Sequence, residues 1–262
     1  MAVTQPAGTL SAEQRAFYER EGYLVVPDLL SFERVAALLE RLEALVLERI
    51  PRPPGLRIQI EPAIQRGDLP MPASPLAAVR KVEQLVATDP LFGELARDPG
   101  ILGVITSILG PDLKLFRDAL MMKPAHHGSA KPYHQDSPYW PIEPPDLCSV
   151  WIALDEATVE NGCMRVLPGS HRWGMLEHKH LEDYQVEEDR LDLSGEVSVP
   201  LAPGGALFFH SLLLHATSPN TSDRPRRAMV LSYMSARSRY TRDPATKPAY
   251  LLLQGREYPG CV

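Results

Sequence analysis

The chain has 262 residues, 44% hydrophobic and 23% charged, a balance that suits a globular protein with a sizeable core. Lys and Arg number 27 against 33 Asp and Glu, a net charge of −6 with His neutral, and no basic run stands out. That argues against a nucleic-acid or anionic-membrane surface and for a small-molecule partner.

Three scattered cysteines are too few for a disulfide framework and fit a reducing compartment. The opening "MAVTQPAGTL" has neither a basic start nor an apolar stretch, and no segment approaches the roughly 20 apolar residues of a membrane span. A soluble cytoplasmic protein is expected, with its oligomeric state left open. In that setting "NTS" at 220–222 is a chance match to a glycosylation acceptor.

From Ser11, "SAEQRAFYEREG" predicts a short helix with Ser11 as N-cap and Gly22 as its stop. "YLVVPDLLS" predicts a strand ending at Pro27, and the apolar spacing from Phe32 to Ile50 predicts a second helix. The first third therefore reads as mainly helical. The 26 prolines cluster in "IPRPPG", "LPMPASP" and "YWPIEPP", which read as irregular connections.

The period then changes. "LKLFRDALMMKP", "LCSVWIALDEAT", "CMRVLPGSH", "EVSVPLAP", "GALFFHSLLLHAT" and "RAMVLSYMSAR" are short β-prone runs bounded by Gly, Pro, Asn and Asp. Six or more such strands after a helical start predict a mainly β protein with flanking helices around a jelly-roll core. One domain over 1–262 is expected, with a helical part over about 10–110, the β core over about 112–240 and a tail over 241–262.

The chemistry begins at "KPYHQDSPYW". On a strand, residues i and i+2 share a face, so His134 and Asp136 would project together as half of a metal site. "FFHSLLLHATSPN" offers His210 and His215 as further ligands. Two histidines and one carboxylate on one face of a metal are the arrangement of non-haem Fe(II) oxygenases. Other histidines read differently: His126 and His127 lie in a loop, His171 follows a turn as a structural residue, and His178 and His180 sit in a charged, solvated stretch.

"YHQD", "VWIALDEATVENGCMRVLPGSH" and "GGALFFHSLLLHATSPNTSDRPRRAM", in that order after "LSAEQRAFYEREGYLVVPDLLS", resemble the phytanoyl-CoA dioxygenase family of Fe(II)- and 2-oxoglutarate-dependent oxygenases, over about residues 10–240. The resemblance implies a double-stranded β-helix, or cupin-like, core. It implies His134, Asp136 and His215 as iron ligands and makes His210 structural or a support behind the ligands. Arg226, eleven residues after His215, takes the place of the arginine that grips the far carboxylate of 2-oxoglutarate, with Arg227 as its alternative. Lys81, Trp151 and Thr217 become neighbours of the cosubstrate.

The implied reaction consumes O2 and 2-oxoglutarate, releases succinate and carbon dioxide, and hydroxylates an unactivated C–H bond. Desaturation, ring closure, epimerisation or a catalytically silent binding protein are the alternatives. Asp136 disfavours halogenation, since related halogenases replace this carboxylate with a small residue. The chain departs from the pattern at Ala216 and at Gly204 and Gly205, and 172–200 reads as a variable lid or substrate loop, or else as a solvated surface loop. Tyr133, Tyr139, Trp140 and Met122 are candidates for an apolar pocket edge or for core, and the expected substrate is a small, fairly hydrophobic metabolite or carboxylic acid.

Overall fold

Ser11 starts the first helix of the computed structural model as the sequence predicts. Its hydroxyl accepts from the Gln14 amide at 3.2 Å while the Gln14 side chain accepts from the Ser11 amide at 2.9 Å, so two orphan donors of the helix start are satisfied reciprocally. Helix α1 (Ala12–Glu21) stops at Gly22, whose φ of 79° is the left-handed conformation. A Cβ there would also strike the His171 ring. The structure describes residues 8–181 and 183–262. Most of the stretch read as lacking a signal peptide lies outside them.

Strand β1 (Tyr23–Val26) ends before Pro27, and helix α2 (Phe32–Val46) follows. Helix α2 stops four residues short of the predicted Ile50. Arg52 folds back onto its last carbonyls, donating to Leu45 and Val46 at 3.1 and 2.7 Å, which closes the helix without a glycine. Its stripe of Val35, Leu38, Leu42 and Leu45 is buried, worth roughly 1.5–3 kcal/mol for each side chain removed from water.

The first third carries strands as well as helices. Strands β2 (Arg57–Ile60) and β3 (Val79–Glu83) pair with each other, and β3 pairs with β4 (Leu113–Lys123), which follows helix α3 (Pro99–Leu109) in the chain. Their charged and polar residues hid them in the sequence: "RIQI" at the sheet edge buries no side chain, and "VRKVE" buries only Val79 and Val82.

The remaining strands of three residues or more are β5 (Lys131–His134), β6 (Cys148–Ala153), β7 (Met164–Val166), β8 (Val197–Val199), β9 (Ala206–His210), β10 (His215–Thr217), β11 (Arg226–Ser235) and β12 (Leu251–Gln254). The major sheet runs β1-β9-β6-β11-β4-β3-β2, with β12 also paired to β4, and the minor sheet runs β8-β7-β10-β5. All of these pairings are antiparallel, the two-sheet arrangement of a jelly roll. The segment 251–254, read as tail, thus belongs to the sheet.

Strand β6 shows why the fold needs both faces. Cys148, Val150 and Ile152 join the helices in one apolar cluster, while Trp151 and Ala153 join β7, β9 and β11 in another between the sheets. The run "GALFFHSLLLHAT" is split between them, β9 in the major sheet and β10 in the minor one. Gly204 permits the turn before β9: its φ is 87°, and any Cβ would meet the Leu30 carbonyl.

Candidate active site

His134 and His215 sit directly opposite one another on β5 and β10, with ring centroids 4.1 Å apart. Asp136 reaches them by a route the sequence reading had wrong. Strand β5 ends at His134, and Asp136 adopts helical backbone angles at the start of a 3₁₀ turn, so the shared face of a strand does not bring the pair together. The amides of Asp136 and Ser137 instead donate to the Ser211 carbonyl at 2.8 and 3.0 Å, which folds the carboxylate back toward the histidines. His134 Nε2 and Asp136 Oδ1 are 3.8 Å apart, and one donor atom from each of the three residues lies within 4.8 Å of the others.

Second contacts set the tautomers. His134 Nδ1 donates to the Pro132 carbonyl and His215 Nδ1 to the Leu213 carbonyl, both at 2.9 Å. Each imidazole therefore presents the Nε2 lone pair to the cluster. Burial holds both well toward the neutral form, so two lone pairs and one carboxylate face a common point. Ser149 supports the carboxylate, its hydroxyl 3.5 Å from Asp136 Oδ2 and 2.8 Å from Ser232 Oγ. This donor set fits a divalent iron with positions left open.

Gln135, between the two ligand candidates, is wholly buried and ties the turn to its surroundings. Its side chain donates to the carbonyls of Gly174 and Leu212 and accepts from the Leu176 amide, each at 2.8 Å. Its own amide donates to His178 Nε2 at 2.9 Å. His178 is thus a buried brace, not the solvated residue expected from its charged neighbours; His180 remains exposed. The sequence offered no signal for this, since His178 and Gln135 are 43 residues apart.

The cluster opens into a cavity of about 400 Å³ between the sheets. Trp151, Thr217, Arg226 and Lys81 all line it, together with Phe209 and Val230. Arg226 is 2% exposed; its guanidinium lies 5.3 Å from the Trp151 ring centroid, and its Nε and Nη1 have no hydrogen-bond partner among the described residues. Burial draws it down only to about 10, so it remains charged at neutral pH. Arg227, one residue along, is absent from the cavity lining and is held through all three of its side-chain nitrogens by Asp155 and Glu43. Lys81 Nζ is held by Glu83 at 3.0 Å.

Lys123, which sequence reasoning missed, is buried opposite Arg226 in the register of β4 and β11 and donates to the Ser129 carbonyl. Burial and the neighbouring guanidinium push its ammonium down to about 6. Of the proposed pocket-edge residues, Tyr139 and Met122 line the cavity. Trp140 packs behind it, and Tyr133 is core, its hydroxyl bound to Glu196. His171 and His210 face each other outside the cluster, as structural residues.

The phytanoyl-CoA dioxygenase (PhyH) family model matches residues 18–228, a span that holds the histidines, the carboxylate and Arg226. The chain belongs to the phytanoyl-CoA dioxygenase family. It is an enzyme of that family's kind, a non-haem iron dioxygenase that uses 2-oxoglutarate as cosubstrate. Among relatives, the probable phytanoyl-CoA dioxygenase of Caenorhabditis elegans is 27% identical over 88% of this chain and 77% of its own. The L-proline trans-4-hydroxylase of Streptomyces griseoviridis is 30% identical over 96% of this chain and 94% of its own. The structure of EctD from S. alaskensis with 2-oxoglutarate and 5-hydroxyectoine superimposes with a TM-score of 0.71 at 26% identity, covering 99% of this chain and 88% of that one. No helix among the described residues is long and apolar enough to cross a membrane.

Proposed function

We propose that His134, Asp136 and His215 hold the iron through the two Nε2 atoms and the carboxylate, that Arg226 takes the far carboxylate of 2-oxoglutarate, and that the product is a hydroxylated small, fairly hydrophobic molecule. The observation that carries this reading is Arg226: a buried, charged guanidinium with unpartnered N–H groups, in the same cavity as the three-ligand cluster. An unpaired buried charge is costly, and a planar carboxylate is the partner its fork fits.

With iron and cosubstrate bound, the site supplies the oxidising equivalent that inserts oxygen into a C–H bond, and succinate and carbon dioxide leave. The chain's own residues orient and exclude. Trp151 stacks under the guanidinium, Thr217 and Lys81 sit along the cosubstrate's path, and Phe209 and Val230 keep the cavity wall apolar. Gln135 and Ser149 hold the ligand turn in place.

The cavity volume bears on the substrate. At about 400 Å³ it lies near the lower end of the roughly 300–1,000 Å³ of ligand pockets, and the cosubstrate fills part of it. A small metabolite suits the remainder. Desaturation, ring closure and epimerisation use the same site, and product analysis separates them. The cytoplasm suits the three unpaired cysteines.

The test needs no substrate. Anaerobic titration of the Fe(II)-loaded protein with 2-oxoglutarate is expected to develop the weak visible charge-transfer absorption of an iron-bound keto acid, which His134→Ala abolishes. Absence of that absorption from well-folded, iron-loaded wild type would overturn the assignment.

A further inference from the structure

Six cationic side chains line the cavity, Arg80, Lys81, Arg117, Lys123, Lys131 and Arg226, against three carboxylates, Glu61, Asp136 and Asp183. Most of the cations already have an acceptor. Lys131 is held by Asp183 at 2.8 Å with Arg80 at 3.7 Å from the same carboxylate, Lys81 is held by Glu83, and Lys123 donates to the Ser129 carbonyl. Two guanidiniums are left, Arg226 and Arg117.

Arg117 projects from β4 beside the metal cluster. It pairs in register with Ser232, whose hydroxyl contacts the Ser149 hydroxyl that supports Asp136. Among the described residues its guanidinium meets no carboxylate within 4.0 Å and no hydrogen-bond acceptor. Its contact is the face of Trp140, 6.0 Å from the ring centroid. A cation–π contact of this kind uses none of the guanidinium's N–H donors, which stay available to a ligand in the cavity that Arg117 lines.

The cosubstrate does not account for it. 2-Oxoglutarate has two carboxylates; one goes to Arg226 and the other to the iron. The backbone of Arg226 lies six positions along β11 from Ser232, about 20 Å of strand, so Arg117 stands at a different level of the cavity. An anion held by Arg117 would come from the other reactant.

We propose that Arg117 is the specificity residue for the primary substrate and that this substrate carries a carboxylate, bound by the Arg117 fork so that a nearby C–H bond faces the iron. This deepens the site reading given above and rests on it. It makes a small carboxylic acid the substrate class, in preference to a neutral scaffold.

The experiment measures binding to protein loaded with Fe(II) and saturating 2-oxoglutarate under anaerobic conditions, which blocks the Arg226 end. Phenylacetate, hexanoate and N-acetyl-L-proline are each compared with the corresponding primary amide by ligand-observed NMR titration. In wild type at least one acid should bind about tenfold or more tightly than its amide, the effect of a hydrogen bond to a charged group. Arg117→Gln should bring the pair within about twofold, and Arg117→Lys should keep part of the preference. 2-Oxoglutarate affinity should be the same in all three proteins, which also reports that the variants fold. No acid preference in wild type, or one that survives Arg117→Gln, overturns the proposal. Failure of wild type to bind 2-oxoglutarate would instead overturn the reading of the site on which it rests.

Discussion

Arg226 and Arg227 are neighbours on one strand and have opposite electrostatic lives. Arg227 donates to both carboxylate oxygens of Asp155 at 2.8 Å and to Glu43 at 2.9 Å, tying the major sheet to helix α2. Arg226 faces the interior with Nε and Nη1 unpartnered. Alternation along a strand sends one residue to the ligand side and the next to the helix side.

The two substitutions should therefore separate. Arg226→Gln is expected to weaken 2-oxoglutarate by about 1.5–3 kcal/mol, roughly 10–150-fold in its dissociation constant, with little change in stability. Arg227→Gln should lower the unfolding free energy by about 1–3 kcal/mol and leave that constant within about twofold. Urea unfolding and cosubstrate titration of both variants check the pair of outcomes.

Asp136→Ala should abolish Fe(II)-dependent succinate formation, and undiminished turnover would remove the carboxylate from the metal site. Ser149→Ala tests its support, the hydroxyl 3.5 Å from Asp136 Oδ2. Loss of an outer hydrogen bond to a ligand typically weakens metal by about 10–100-fold, and competition with a chromophoric chelator reads that directly.

Gln135→Leu leaves the Gly174 and Leu212 carbonyls and the Leu176 amide without their partner. A cost of about 2–4 kcal/mol follows from several stranded buried groups. Because the same contacts hold the turn between His134 and Asp136, iron affinity should fall with stability. Thermal unfolding with and without Fe(II) measures both, and an iron-induced stabilisation equal to that of wild type would limit Gln135 to the fold alone.

Acid should destabilise the protein partly through His210. Burial lowers it from the ordinary 6.5 to about 4, helped by His171, and its Nδ1 accepts the Leu212 amide at 3.0 Å. Below pH 6.5 the unfolded chain binds a proton there that the folded chain refuses. The stability is fully present above 6.5 and is lost progressively as pH falls toward about 4. At pH 5 the loss is about 1–2 kcal/mol. Urea midpoints of wild type and His210→Asn at pH 7 and pH 5 should show a shallower decline in the variant.

Asp183 sits at the tip of the 172–200 segment and reaches across to Lys131. Tyr139 donates from below to the Tyr184 carbonyl. Asp183→Asn should loosen this closure by about 0.5–1 kcal/mol, the scale of a partly exposed ion pair. Proteolysis within the segment should speed up two- to fivefold, on the order of that energy, while 2-oxoglutarate affinity holds. Equal cleavage rates would show that the pair does not hold the segment down.

Short-range physics made much of the fold legible. The Ser11 cap, the Gly22 stop and the β-prone runs of the core needed only local chemistry. The match to "NTS" also resolved as expected, since Asn220 is fully buried and its amide holds the Lys123 and Arg224 carbonyls. Strands β2 and β3 were missed because their pairings, β2 with β3 and β3 with β4, are long-range and their own pattern is weak.

By itself the sequence determined which groups could meet a metal and a dicarboxylate: two imidazoles, a carboxylate and a pair of adjacent arginines in a recognisable order. Only the tertiary structure decided which arginine is free, since Asp155 and Glu43 come from elsewhere in the chain to occupy Arg227. It decided too that Asp136 arrives through a turn held by Ser211, that His178 is a buried brace, and that Arg117 stands open to the cavity. The reason is common to all four: the partners that consume or leave unsatisfied a polar group are set by pairing between distant strands, and no local pattern records them.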